Sequence, residues 1–354
     1  MKPVGQAPNR FVRAINLVFF AVGVAALVWM AQRLGMRSIV AMLASVGWFA
    51  LPLMLLSITT LMLNTAAIRV FMRPEQRMIR YWRVFVAQLS GQAVNSVTPT
   101  GTVGEVLKVT MLMGHAPRYR AVSSIIAFNV SVIFTNACLM LLAILLSLIF
   151  GEFPSRLNWI LGITFAVLLT SILVVQYLLR NGFVFTLARF ARALHLVSAE
   201  RRDRIHKKLK AFDDQLIMFG PNREASYSAG FVYVAVARIV GWFDLWLVLY
   251  ALNLRPGLVS VVIIAAMGTV IDSIASVVPL GIGAKEGGHA GLYELMGIGA
   301  MAGLSASLVS RIRVLAIAAC GLLILLAVQA FDNIMLARSR RRLLERNRHR
   351  RKAP

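Results

Sequence analysis

The chain has 354 residues, 59% of them hydrophobic, with a mean hydropathy of +0.75. That is more apolar than a soluble globular domain, and it leaves no room within these residues for a separate soluble enzyme domain. Lys and Arg number 38 against 14 Asp and Glu, but they sit mostly between apolar segments and at the C-terminus, the positive-inside pattern of an integral membrane protein and not the footprint of a nucleic-acid binder.

In chain order, apolar runs predict full spans near residues 14–32, 47–70, 122–150, 157–179, 227–252 and 314–335. The first, AINLVFFAVGVAALVWMA, is too long for an ordinary signal h-region and lacks a convincing small-residue cleavage site, so it reads as a span. Two further stretches, 82–113 and 258–297, are interrupted. The first carries NSVTPTGTVGEVLKV, Asn95 to Val109, and the second VVPLGIGAKEGGH, Val277 to His289. A helix from Arg83 to Pro99 covers roughly 24 Å and one from Thr102 to Met113 about 17 Å, short of a hydrocarbon core of about 30 Å. The limb Ala284 to Gly297 is also short, whereas Leu258 to Val278 just spans.

These lengths predict two re-entrant hairpins, a reading that charge supports. With the N-terminus inside, the hairpin topology returns every strongly basic segment to the cytoplasm: Arg69 to Arg83, Arg118 and Arg120, the loop of about 180–225, and the tail. Full spans at both motifs would put Arg118 and Arg120 outside. The hairpins then enter from opposite faces. Within the large loop, LARFARALHLV reads as an amphipathic helix lying on the anionic cytoplasmic leaflet. The tail RSRRRLLERNRHRRK, with nine Lys/Arg, reads as a juxtamembrane anchor to the same leaflet. The domain reading is one transmembrane domain over 1–335 and a basic cytoplasmic tail over 336–354.

The interruptions are two copies of one device. Pro99, Gly101, Gly104 and Glu105 in the first match Pro279, Gly281, Gly283 and Glu286 in the second, with the glutamates 181 residues apart. Proline and glycine stop one helix; capping chemistry starts the next. Thr102 and Glu105 fit a capping box, and Gly283 and Glu286 stand at the same positions. With opposite entry this predicts an inverted-topology repeat. Two helix N-termini at mid-membrane depth need protein or a wet cavity around them, and they favour an anion.

Ionisable residues gather at these breaks. Glu105 and Lys108 are three apart; Glu286 and His289 repeat that spacing beside Lys285. Asp272 lies two helical turns before Pro279, and Arg311 and Arg313 precede the predicted last span. Two readings stay open for the glutamates: each caps its own helix, or each also lines a polar path. Interfacial snorkelling and substrate contact are both open for the arginines. Arg238 and Asp244, six apart on one helix, make a doubtful pair. Asn129 and Asn136, seven apart, suggest interhelical hydrogen bonds. Cys138 and Cys320 lie in apolar runs without a disulfide framework, and the five histidines show no metal-ligand spacing. The GxG of GIGAKEGG lacks the strand and βαβ context of a nucleotide fingerprint, so no cofactor is expected.

PTGTVGEVLKVTML resembles the proline–glycine–glycine–glutamate signature in the transmembrane region of the lysylphosphatidylglycerol synthases and their stand-alone relatives. VPLGIGAKEGGHAGLYELMGI followed by SLVSRIRVL resembles the family's second signature, P-x-G-x-G-x-x-E with a downstream arginine, here Arg311 or Arg313. The resemblance covers about residues 14–335. Many relatives carry a Glu-Arg…Asp cluster where this chain reads IIAFNVSVIF, which is similar to the stand-alone branch linked to hopanoid synthesis. No aminoacyl-transferase domain accompanies the motifs, so the resemblance implies lipid movement between leaflets, not aminoacylation.

The resulting expectation is an all-α polytopic protein of a bacterial inner membrane, both termini cytoplasmic, that binds and flips an amphiphilic, anionic lipid. Glu105, Lys108, Asp272, Lys285, Glu286, His289 and Arg311 are the candidate substrate-site residues, without a metal and without a catalytic group. An intramembrane enzyme acting on a lipid headgroup, and a structural partner in a lipid-synthesis complex, are the alternatives. Oligomeric state is not legible.

Overall fold

A computed structural model describes residues 46–73, 79–98, 103–150, 159–170 apart from 161 and 168, 224–275 and 283–350. The predicted first span, most of the loop of 180–225, and the hairpin residues Pro99, Gly101, Thr102, Pro279 and Gly281 lie outside the described residues. Every regular element described is helical: α1 (Ala50–Phe71, after a 3₁₀ turn at Gly47–Phe49), α2 (Tyr81–Val97), α3 (Val103–Met113), α4 (Arg118–Phe150), α5 (Glu224–Ala251), α6 (Leu258–Ala275), α7 (Ala284–Leu295) and α8 (Ala300–Arg350). Residues 159–170 add short helical pieces.

Five helices among the described residues are long and apolar enough to cross a membrane: Gly47–Phe71, Arg118–Leu146, Ser228–Ala251, Leu258–Ala275 and Ala300–Ala327. Their outward faces carry large apolar side chains with little protein cover, such as Ile133 at 68% and Leu258 at 76% exposed. Faces of this kind are stable against acyl chains and costly in water. α2, α3 and α7 are the shorter members, at 17, 11 and 12 residues.

Local chemistry explains the boundaries. α5 ends where Asn253 takes a left-handed φ of 58°, and the Leu254 N–H donates to the Leu249 carbonyl, closing a Schellman-type cap. α7 ends in the same way at Gly297, φ 72°, with the Ile298 N–H on the Tyr293 carbonyl. The Glu294 carboxylate then accepts from the Ala300 N–H at 2.7 Å and so caps α8. The last helix differs from the sequence expectation at both ends. It begins at Ala300, not near 314, so Arg311 and Arg313 lie inside it, and it continues through the basic stretch to Arg350. No proline or glycine stands between Gly321 and Arg350 to stop it, and Lys/Arg are good helix formers.

The packing is reciprocal. α1 and α5 pack on each other. α2 pairs with α3, and α6 pairs with α7, as two helical hairpins. α4, which follows the first hairpin, packs on α6 of the second; α8, which follows the second, packs on α2 of the first. Close approaches set the hairpin geometry. A Cβ on Gly104 would strike the Gly91 carbonyl oxygen, and one on Gly91 would fall 2.8 Å from the Gly104 carbonyl oxygen. Glycine at both positions is therefore what allows α2 and α3 to touch.

Candidate functional site

The first glutamate sits at the start of α3. Glu105 Oε1 accepts from Asn95 Nδ2 of α2 at 2.9 Å and from Lys108 Nζ at 2.7 Å, and Oε2 accepts from Asn129 Nδ2 of α4 at 3.0 Å. Asn95 Oδ1 in turn accepts from the Gly104 N–H at 2.6 Å, so the Asn95 amide holds one of the N–H groups that a helix start leaves unpaired. Lys108 is buried at 3% exposure, with its ammonium 5.6 Å from the Phe128 ring centre. Phe128 and Asn129 are thus the surroundings of this Glu105–Lys108 pair.

The second glutamate is held in a corresponding way from a trailing helix, but by charge. Glu286 Oε2 accepts from the Gly283 N–H at 2.8 Å, one half of the expected capping box; glycine has no side chain to supply the other half. Gly283 has φ 81°, a conformation that glycine adopts without the steric cost of a Cβ. Glu286 Oε1 pairs with Arg311 Nη2 of α8 at 2.8 Å. Asn129 on α4 and Arg311 on α8 therefore play matching parts in the two copies. Asp272 on α6 takes Lys285 at 3.2 Å and faces His289 Nε2 at 3.7 Å. Asp244 on α5 takes Arg313 of α8, not Arg238 of its own helix.

Between these clusters lies a cavity of about 480 Å³, within the usual size range of small-molecule pockets. Asn95 and Thr98 from the first hairpin and Asp272, Lys285 and His289 from the second all contribute to its wall. α4 adds Asn136, α5 adds Arg238 and Asp244, and α8 adds Ser310, Arg311 and Arg313.

Of the sequence-predicted residues, Asp272, Lys285, His289 and Arg311 are brought together on this wall. Glu286 is one contact behind, gripping Arg311. Glu105 and Lys108 are not on the wall; they reach it through Asn95. Sequence reasoning missed Asn95, Asn136 as a wall residue, and Arg238. A signal existed for Arg238, namely an arginine in the middle of an apolar run. Among the described residues, no group of three His, Cys, Asp or Glu side chains could hold a metal ion.

Fold and site define a polytopic helical membrane protein with a cavity, edged by charged and amide side chains, between two hairpins. The family model of the lysylphosphatidylglycerol synthase TM region matches residues 15–321, and the chain belongs to that family. A search of curated proteins finds no significant match. Family and apolar helices together make this a multi-pass membrane protein with a lipid-related function.

Proposed function

We propose that the protein binds an amphiphilic lipid with an anionic headgroup and moves it between the leaflets of a bacterial inner membrane. The observation that carries this reading is the cavity walled by both hairpins, where Arg238, Lys285, Arg311 and Arg313 outnumber Asp244 and Asp272. A chamber with net cationic side chains on a partly apolar wall suits a charged headgroup, while the tails stay in the bilayer.

In this reading the two hairpins are re-entrant, enter from opposite faces and belong to an inverted repeat, with both termini cytoplasmic. The supports are the short limbs α3 and α7, the reciprocal packing and the placement of basic loops. The headgroup meets Lys285, Arg311 and Asp272, with His289 beside them. Glu286 holds Arg311 in place. Glu105 and Lys108 lock the first hairpin and present Asn95 to the chamber. The basic tail and loop face the anionic cytoplasmic leaflet.

Glu286→Gln tests the reading, since glutamine keeps the size and an oxygen for the Gly283 N–H while losing the charge that holds Arg311. In proteoliposomes with headgroup-labelled phosphatidylglycerol, the variant is expected to translocate about tenfold more slowly than wild type, with a similar yield of folded protein. Wild-type rates in the variant would remove Glu286 from the mechanism. Failure of the variant to fold would reduce Glu286 to a helix cap.

A further inference from the structure

Four cationic side chains line the cavity, and three have acidic partners: Arg311 with Glu286, Arg313 with Asp244, and Lys285 with Asp272. Arg238 has no acidic partner among the described residues, and its Nε, shielded from solvent, has no hydrogen-bond acceptor. Arg238 also lies deep. It is ten residues into the candidate span Ser228–Ala251 and thirteen from its end, so about 15–20 Å from either side along the helix. A lone guanidinium at that depth is costly, and such residues mark substrate paths by default. A leucine would fill the same space without the cost.

From this arrangement we infer that Arg238 is the residue that grips the headgroup, and that its ligand is the singly charged phosphodiester of a glycerophospholipid. The planar guanidinium matches two phosphate oxygens through paired N–H donors, a fit that lysine cannot reproduce. One uncompensated cation sets the charge the chamber accepts. A headgroup with one net negative charge neutralises it. A zwitterionic headgroup adds an ammonium beside Lys285, Arg311 and Arg313, and a lysylated headgroup adds still more positive charge. This inference rests on the lipid-binding reading above and narrows it.

The test is native mass spectrometry of lipids retained by the full chain in mild detergent with equimolar phosphatidylglycerol and phosphatidylcholine. Alongside it, melting temperatures are measured with and without lipid. Wild type is expected to retain phosphatidylglycerol in excess. Arg238→Gln is expected to lose that excess by about tenfold, the effect of one charge-assisted contact, and Arg238→Lys to keep part of it. Without lipid, Arg238→Gln should melt at or above the wild-type temperature, because an uncompensated charge has gone; a structural arginine would give the opposite shift. An unchanged phosphatidylglycerol excess in Arg238→Gln overturns the inference and leaves lipid binding standing. Equal retention of both lipids by wild type also overturns the inference alone. If wild type retains no lipid, while inorganic phosphate raises its melting temperature in an Arg238-dependent way, the ligand is a soluble phosphate and both readings fall.

Discussion

Glu105→Ala is expected to destabilise the protein by about 3–5 kcal/mol, the usual cost of removing one partner of a buried ion pair. The carboxylate is the common acceptor for Asn95, Lys108 and Asn129, from three helices. Its loss strands the ammonium of Lys108, a residue 3% exposed, with the Phe128 ring as its remaining described partner. A ring face at 5.6 Å is a weak substitute for a carboxylate at 2.7 Å. The double variant Glu105→Ala/Lys108→Met removes the stranded charge and fills its space with an apolar chain, so much of the loss should be recovered. Thermal melting in detergent of both singles and the double measures this coupling. If the double is destabilised by the sum of the singles, the buried pair is not the unit described here.

The second large effect is steric. Gly104→Ala places a methyl group against the Gly91 carbonyl oxygen and 2.5 Å from Asn95 Oδ1. Both obstacles belong to α2, and the first is backbone, which cannot swing aside. Relief requires α2 and α3 to separate, and this breaks the Asn95–Gly104 hydrogen bond as well. Overpacking of this kind costs about 1–3 kcal/mol, and the closeness of the backbone obstacle places Gly104→Ala at the upper end. Gly291→Ala on α7 is the control. Its Cβ meets nothing within 4 Å, so the substitution should be neutral or stabilise by about 0.5–1 kcal/mol through helix propensity. Comparable losses at both positions would mean that the hairpin contact is not close.

Much of this arrangement was legible in the sequence because breaks in a membrane helix are written locally. The proline and glycine positions predict a stop to α2 and a start to α7; α2 does end at Val97, where Thr98 turns extended, and α7 starts at Ala284 after Gly283. The Gly283–Glu286 spacing predicted the backbone contact at the start of α7, which forms at 2.8 Å. Asn129 was expected to reach across helices, and it does. What stayed hidden depends on which helix faces which. Spacing placed Glu105 and Lys108 on one face of α3 but could not tell that this face packs against Phe128, away from the cavity. For the arginines of α8, interfacial snorkelling and substrate contact were both open, with the span starting after them. Here Glu286 and Asp244 reach from other elements to pair with them, and the helix continues through both. Arg238 and Asp244, six apart on one helix, made a doubtful pair, and they do not pair. The contact that decides the matter, Asp244 with Arg313, is 69 residues away in sequence.

If a lipid headgroup passes through the cavity between the hairpins, filling that cavity without altering its charge stops it. Gly241 lies on the wall, and a Cβ there meets nothing within 4 Å. Gly241→Trp therefore adds bulk at the chamber wall without adding or removing a charge. In proteoliposomes, the variant should melt close to the wild-type temperature and translocate labelled phosphatidylglycerol no faster than protein-free vesicles. Translocation at the wild-type rate through a blocked cavity would contradict the account.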